Sequence, residues 1–485
     1  MADQRKLAFA ASSGLGLLFP ALLLAQPDHF KRGPCVVGAS RPTLESSLAR
    51  VQQEPFWSAE RTVQRFNVAY PHRRAELLVF PRRREEPIEA ERASWSSLWD
   101  SVDVRRVRFD PAVPMYHIQF DPDVVLEEVA DKMLREAPGL IKSIEANSCV
   151  FPQQQRQPLD GADDHESGRQ WGHRTIDIEE AWKLEKGKSS VIAAVIDSGI
   201  NHQHPDLACN FWDNPCDIAN QKDDACPGHP VNGLVDDVHG WNFWDHNNQL
   251  FDNADHGTMI AGIIGACANT TDVVGLNWSV SLMDLRVYDT VAAEGALDAI
   301  LSAFRYAVAN GAHVINLSVA TAPSEALWSL IDDATDIVVI AAAGDEGADG
   351  SEIGPDHWVF PCSWAFDNLI CVTSSTEEDK KANSANYGPF VHLAAPGVKI
   401  LSTEGSSIGE RTGTSFAAPY VTGVAALVRA RFPSETASQI VARVLDGDDI
   451  SSLDGKTKRG QGLGTGRRLN ACKALGCAAP PTPLP

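Results

Sequence analysis

Two rhythms of hydrophobic and polar positions run along the chain, and the change between them falls near residue 170. Upstream, AELLVF (75–80), MYHIQF (115–120) and IKSIEA (141–146) have strand length and strand composition, whereas the Glu-rich stretch from Pro87 to Trp99 and VVLEEVADKMLREA (124–137) space their apolar residues as helices do. The order predicts strand, helix, strand, helix, strand, and therefore a small α+β domain packed over about 74–150. Residues 26–70 show no clear period.

Downstream the apolar runs become continuous: VIAAVI (191–196), TMIAGIIGA (258–266), SLMDLRVY (281–288), LDAILSAFRYAVANG (297–311), HVINLSVA (313–320) and IVVIAAAG (337–344). Unbroken Val, Ile and Ala runs suit strands buried on both faces, so this part is expected to be α/β, a mostly parallel sheet wrapped by helices. Between the two parts, FPQQQRQPLDGADDHESGRQ (151–170) is polar, rich in Gln, Asp, Pro and Gly, and without a period, which predicts a linker or a site to be cut.

Charge sharpens this division. The 485 residues carry a formal net charge of -22, which repels nucleic-acid phosphates and anionic lipid and argues against nucleic acid as a partner. Residues 26–165 hold 19 basic and 22 acidic side chains, while 166–485 hold 21 and 41, so nearly all the excess lies in the second part. At the start, Arg5 and Lys6 precede an apolar run from Leu7 to Ala25 broken by Ser12, Ser13, Gly14, Gly16 and Pro20, the pattern of a signal peptide over 1–25 rather than of a membrane anchor. No later stretch is long and apolar enough to span a bilayer.

Ten cysteines fit export to an oxidising compartment. Two precede residue 150 and eight follow residue 200, so each part can pair internally, Cys35 with Cys149 and the rest among themselves. Cys362 and Cys371 are close enough in sequence to clip a loop, as are Cys472 and Cys477.

Candidate chemistry stands at the ends of the apolar runs. Asp197 follows VIAAVI, at the carboxyl end of a buried strand, the edge where α/β folds place ligands. His256 stands in DHGTMIAGIIGA, where Gly257 permits close backbone approach and a helix begins at once. Ser415 lies in GTSFAAPYVTGVAALV at another helix start, and Pro419 is expected in the first turn, where its missing N–H costs little. A serine hydroxyl needs a base to take its proton, and the imidazole needs a carboxylate to orient it and stabilise its charged form.

The order Asp, His, Ser with these motifs resembles the subtilisin-like serine proteases. The resemblance runs from WGHRTIDIEEAW (171–182) through DSGINHQHPDL, VDDVHGWNF, DHGTMIAG, HVINLSVA, AAAGDEG, HLAAPGVKILST and GTSFAAPYVTGVAAL to GTGRRLNACKAL. It implies a three-layer catalytic domain over 166–475 with a short tail at 476–485, and an inhibitory, ferredoxin-like propeptide over 26–165 that is cut off by the enzyme itself. It further implies a secreted, monomeric endopeptidase acting on protein or peptide substrates. Its compartment would be extracellular, or an acidic secretory or vacuolar one. Asp197, His256 and Ser415 would be catalytic. Ser318, Val319, Ala320 and Gly344 would bind the substrate backbone, which adds as a strand beside Val319 and the loop near Thr290 to Gly295.

Departures from the family pattern carry their own expectations. In AAAGDEG the family places Asn after the Gly, to donate to the developing oxyanion; here it is Asp345, which has an O–H to give only when protonated. Met259 replaces a frequent His, Ala320 replaces a frequent Gly, and Glu294 sits beside the expected substrate edge. The resemblance also implies a structural Ca2+ site at Asp206 and Asn269. Asn269-Thr270-Thr271 and Asn277-Trp278-Ser279 read as glycosylation acceptors, whereas Asn316-Leu317-Ser318 falls in a buried strand. GQGLGTG (460–466) has dinucleotide-like glycine spacing without a leading strand and reads as a turn, and His202 with His204 lack a third metal ligand. The reading from another class is a catalytically silent relative that binds peptides without cutting them.

Overall fold

The protein is described from a computed structural model covering residues 35–36, 72–82, 89–110, 113–121, 124–137, 139–152, 170–217, 219, 222–223, 232–269, 272–289, 294–354, 356–453, 458–459, 462–463 and 466–477. The expected signal peptide (1–25) and most of the linker lie outside these residues.

A stub, β1 (Cys35–Val36), pairs with the first long strand of the small unit, β2 (His72–Pro81). Helix α1 (Glu89–Ser101), strands β3 (Arg106–Asp110) and β4 (Met115–Gln119), helix α2 (Leu126–Glu136) and strand β5 (Ile141–Pro152) follow. The strands lie antiparallel in the order β3-β4-β2-β5, which with this helix placement is the ferredoxin-like arrangement. Strand β3 is the element the sequence reading lacks, because RVRFD, with two arginines and an aspartate, has no apolar run to announce it. Period 2 gives the sheet two faces. Leu77, Val79, Tyr116 and Ile118 pack with Trp95, Leu98, Leu126 and Met133 of the two helices, whereas Leu78, Phe80, Met115 and Val150 join a core cluster of the following domain.

That domain begins with two short helices, α3 (Trp171–Thr175) and α4 (Ile178–Trp182), then the central strand β6 (Gly187–Asp197). Strands β7 (Gly240–Asn242), β8 (Ser279–Arg286), β9 (Tyr288–Asp289), β10 (Glu294–Ala296), β11 (Val314–Leu317), β12 (Val319–Ala320), β13 (Val338–Ala342), β14 (Leu369–Ser375) and β15 (Leu393–Pro396) follow in chain order. The hairpin β16 (Ile400–Glu404) with β17 (Ser407–Arg411), and the short β18 (Asp448–Asp449), β19 (Lys458–Arg459), β20 (Gly462–Leu463) and β21 (Arg467–Arg468) complete the strands. The main sheet has the order β18-β21-β15-β14-β13-β11-β6-β8-β7, parallel throughout except between β18 and β21. The expected α/β class with a mostly parallel sheet is what the chain adopts.

Alternate residues of β6 divide between two cores, Val191, Ala193 and Val195 on one face and Ala194 and Ile196 on the other. The first face packs against α5 (His256–Gly265), α8 (Thr414–Arg431), α9 (Ala437–Val444) and α10 (Ala471–Ala474), the second against α6 (Leu297–Ala309) and α7 (Glu325–Asp333). Both faces are covered, which is why the strands read as continuous apolar runs.

Disulfides join Cys209 to Cys267, Cys362 to Cys371 and Cys472 to Cys477. Cys149 and Cys216 are disulfide-bonded as well, while the side chains of Cys35 and Cys226 lie outside the described residues. Strands β19 and β20 pair antiparallel, and residues 460, 461, 464 and 465 of the glycine-rich segment lie outside the described residues. No helix among the described residues is long and apolar enough to cross a membrane.

Candidate active site

Three carboxyl or amino ends of buried elements converge here. Asp197 is the last residue of β6, His256 the first of α5, and Ser415 lies one residue into α8; all three are fully buried. His256 Nδ1 lies 2.7 Å from Asp197 Oδ1. A β-carbon on Gly257 would meet the Gly199 carbonyl at 2.2 Å and Asp197 Cβ at 3.2 Å, so α5 can come this close to the end of β6 only with glycine there.

Ser415 is tied to β11 and β12 by a reciprocal pair: its Oγ donates to the Ser318 carbonyl at 3.1 Å, and Ser318 Oγ donates to the Ser415 carbonyl at 2.9 Å. The second bond corrects the expectation for Pro419, which stands in the second turn of α8 rather than the first. The missing Pro419 N–H would have bonded the carbonyl four residues back, that of Ser415, and the Ser318 hydroxyl takes its place. Asn316 Nδ2 donates to Ser318 Oγ at 2.9 Å and Thr422 Oγ1 donates to Asn316 Oδ1 at 2.8 Å, so the buried Asn316 holds this junction and is no glycan acceptor. His256 Nε2 has no hydrogen-bond partner among the described residues; the Asp–His bond is formed in this state, and the His–Ser bond is not.

Asp345 follows Gly344, whose N–H donates to Thr414 Oγ1 at 3.0 Å. Asp345 Oδ2 accepts from Thr414 N at 2.7 Å and Thr414 Oγ1 at 2.9 Å, and its Oδ1 accepts from Ser384 Oγ at 3.2 Å. The carboxyl therefore serves the first N–H of α8, whose preceding residue, Gly413, has no side chain to cap it. Burial raises its pKa above the usual aspartate range, while the bonds from Thr414 and Ser384 and the charge of Lys381 pull the other way.

The substrate edge is filled by the chain itself. Strand β5 runs antiparallel between β10 and β12, with Val150 opposite Gly295, Cys149 opposite Ala296, Phe151 opposite Ala320 and Pro152 opposite Val319. The strand reaches Pro152, so the expected linker start at 151 falls inside it. The Glu294 side chain lies outside the described residues.

Sequence reasoning missed two neighbours of the dyad. Tyr288, read as the end of an apolar run, places its hydroxyl 3.0 Å from Asp197 Oδ1 and 3.0 Å from His256 Nδ1. Asp252 is buried and accepts from Ser198 Oγ at 2.9 Å and Thr258 Oγ1 at 2.7 Å; burial pushes its carboxyl up to about 6. The tyrosine that closes the run 281–288 was the available signal for the first; a loop aspartate gave none for the second.

Two peripheral expectations change. Asp206 and Asn269 do meet, in a loop clipped by Cys209–Cys267, but through Asn269 Nδ2 donating to Asp206 Oδ1 at 2.8 Å, with Val273 N donating to Oδ2 at 3.3 Å. Both carboxylate oxygens face N–H donors, so the pair as arranged does not fit a calcium ion, which takes oxygen ligands. Asn277 is 1% exposed and spends its Nδ2 on the Ile264 and Gly423 carbonyls, which leaves no room for a glycan there. His202 bonds the buried Asp284 at 2.9 Å and His204 the Ser407 carbonyl at 2.6 Å, so they do not form a metal pair.

The sequence model of the Subtilase family matches residues 188–464. Thermitase of Thermoactinomyces vulgaris is 31% identical over 319 residues, spanning 64% of this chain and 98% of thermitase. The thermostable alkaline protease of Halalkalibacterium halodurans is 28% identical over 361 residues, 74% of this chain and 84% of that protein. Among solved structures, fervidolysin from Fervidobacterium pennivorans, described as a keratinolytic enzyme related to subtilisin, matches in fold with a TM-score of 0.61 at 19% identity, over 84% of this chain and 62% of its own.

Proposed function

Since the chain belongs to the subtilase family and is a serine-type peptidase, we propose that it is a secreted endopeptidase made as a zymogen, whose first substrate is its own chain. Ser415 attacks the scissile carbonyl as His256 Nε2 takes its proton; His256 then returns that proton to the leaving amine, and water releases the acyl-enzyme by the same route. Asp197 holds the imidazole in the tautomer with Nδ1–H and stabilises it when charged. Ser318, Val319, Ala320 and Gly344 line the path of the substrate backbone. The observation that carries this reading is β5, an extended segment flanked on both sides by β10 and β12 whose chain continues past Pro152; a cleft that holds a passing strand suits internal bonds. Residues before about 170 are then the removable inhibitor and those after it the enzyme.

Asp345 sets the working pH. As an ionised carboxylate it has no donor for the oxyanion, and as a carboxylic acid it has one. Its raised pKa keeps the acid form to higher pH than an ordinary aspartate would, so turnover falls as pH rises through that pKa. This favours an acidic secretory compartment. No step runs through calcium; a structural ion at Asp206 would require the Asn269 amide turned over, and a glycan on Asn269 would compete with it.

One observation favours a silent peptide binder instead, namely Ser415 Oγ directed at the Ser318 carbonyl rather than at His256. An active-site phosphonate distinguishes the two. Labelling of Ser415 at mildly acid pH supports the peptidase, and no label anywhere between about pH 4 and 8 supports the binder.

A further inference from the structure

Tyr288 stands where the substrate edge and the Asp–His pair meet. Its side chain is fully buried and its hydroxyl donates to Asp197 Oδ1 at 3.0 Å. The same oxygen receives Ser198 N at 2.7 Å and lies 2.7 Å from His256 Nδ1, whereas Asp197 Oδ2 has no partner among the described residues. Its main chain pairs with Gly295, and the other edge of Gly295 pairs with Val150 of β5. A β-carbon on Gly295 would come within 2.9 Å of Tyr288 Cβ and 3.3 Å of Val150 Cβ, so Gly295 alone lies between the tyrosine and the docked strand at this register.

We infer that Tyr288 is a positioning residue: its hydroxyl shares Asp197 Oδ1 with the imidazole, fixes the direction of the carboxylate, and couples it to the strand edge on which an extended chain docks. This rests on the reading that Asp197, His256 and Ser415 perform the chemistry. A second donor on the oxygen that faces His256 fixes the rotation of the carboxylate and so the direction in which it holds the imidazole. The groups facing the dyad are Asp197 at the end of β6, Tyr288 on β9, and Asp252, which reaches it through Ser198 Oγ. Burial, with the Asp197 charge next, holds the phenol well above its ordinary pKa, so it remains a donor throughout the working range.

The test is Tyr288→Phe in the full secreted chain, with kcat and KM measured after processing. Expected is a fall in kcat of about three- to tenfold with KM within about twofold. A variant with the parent's kcat overturns the inference, whatever its melting temperature. If Phe prevents secretion, Tyr288→Leu, which also lacks a donor, is made; a secreted Leu variant with the same loss in kcat and little change in KM sustains the inference, and one with the parent's kcat defeats it. A parent with no turnover sensitive to Ser415→Ala would defeat the triad reading instead, so the two failures are distinguishable.

Discussion

The small unit and the catalytic domain are held in opposite ways. The catalytic domain encloses its own sheet between two layers of helices; one of its cores is filled by its own apolar residues alone, and the other takes a few from the small unit. The small unit covers only one face of its sheet with its own helices. It turns the other face, with Leu78, Phe80, Met115 and Val150, to the catalytic domain, together with a buried polar cluster. In that cluster His117 lies 3.0 Å from Glu76 Oε2 and 3.3 Å from Asp298 Oδ2, Arg108 donates to Asp298 at 3.1 Å, and Asn147 donates to Glu76 at 2.9 Å. Most of the catalytic domain's core is its own, whereas the second face of the small unit's sheet is covered only by docking. On the proposed zymogen reading, cutting the chain leaves the small unit held by an interface that can be loosened.

The contrast predicts that chemistry and attachment can be broken separately. His256→Ala should abolish turnover by about 10⁴-fold or more while the two parts melt as in the parent, since its hydrogen-bond partners among the described residues, Asp197 and Tyr288, belong to the catalytic domain. Asp298→Ala should do the reverse. It removes the acceptor that faces Arg108 and His117 across the interface, while His246 and Glu76 still bond them, and in a Ser415→Ala background calorimetry should show the small unit destabilised by about 2 kcal/mol with the catalytic transition in place.

Asp345→Asn should raise turnover at neutral pH by about 10- to 100-fold and flatten the alkaline fall, because an amide donates at every pH. Unchanged neutral turnover would remove Asp345 from the oxyanion account. The smallest effect belongs to Glu145, on β5, which accepts from Ala326 N at 3.1 Å at the start of α7 and whose carboxyl burial pushes up to about 7. A folded pKa above the ordinary 4.5 means stability fully present below about 4.5 and lost as pH rises through about 7. Docking should therefore weaken as pH rises from 5 to 8, and Glu145→Gln should remove that slope in pH-dependent melting.

How much of this was legible in the sequence follows the same division. The catalytic strands announce themselves because burial on both faces leaves unbroken runs such as VIAAVI and IVVIAAAG, and the residues at their ends were found with them. Strand β3 stayed hidden because its arginines serve the interface rather than a core: Arg108 reaches Asp298, and the Asp110 carboxylate accepts from Ser302 Oγ at 2.5 Å. The end of β5 was read as linker because a strand completed by another domain's edges needs no period of its own. Pro419 was misplaced by a turn because its compensation, the Ser318 hydroxyl, is 97 residues away in the chain. Burial likewise decided Asn277, whose acceptor motif is a local pattern and whose burial is not.

The central claim is that Ser415 cuts this chain between the two parts. Sequencing the amino terminus of the secreted protein beside Ser415→Ala tests it most directly. The account predicts a new terminus within 153–170 in the parent and an uncut chain in the variant; a variant cut at the same bond, or a parent never cut there, would contradict it.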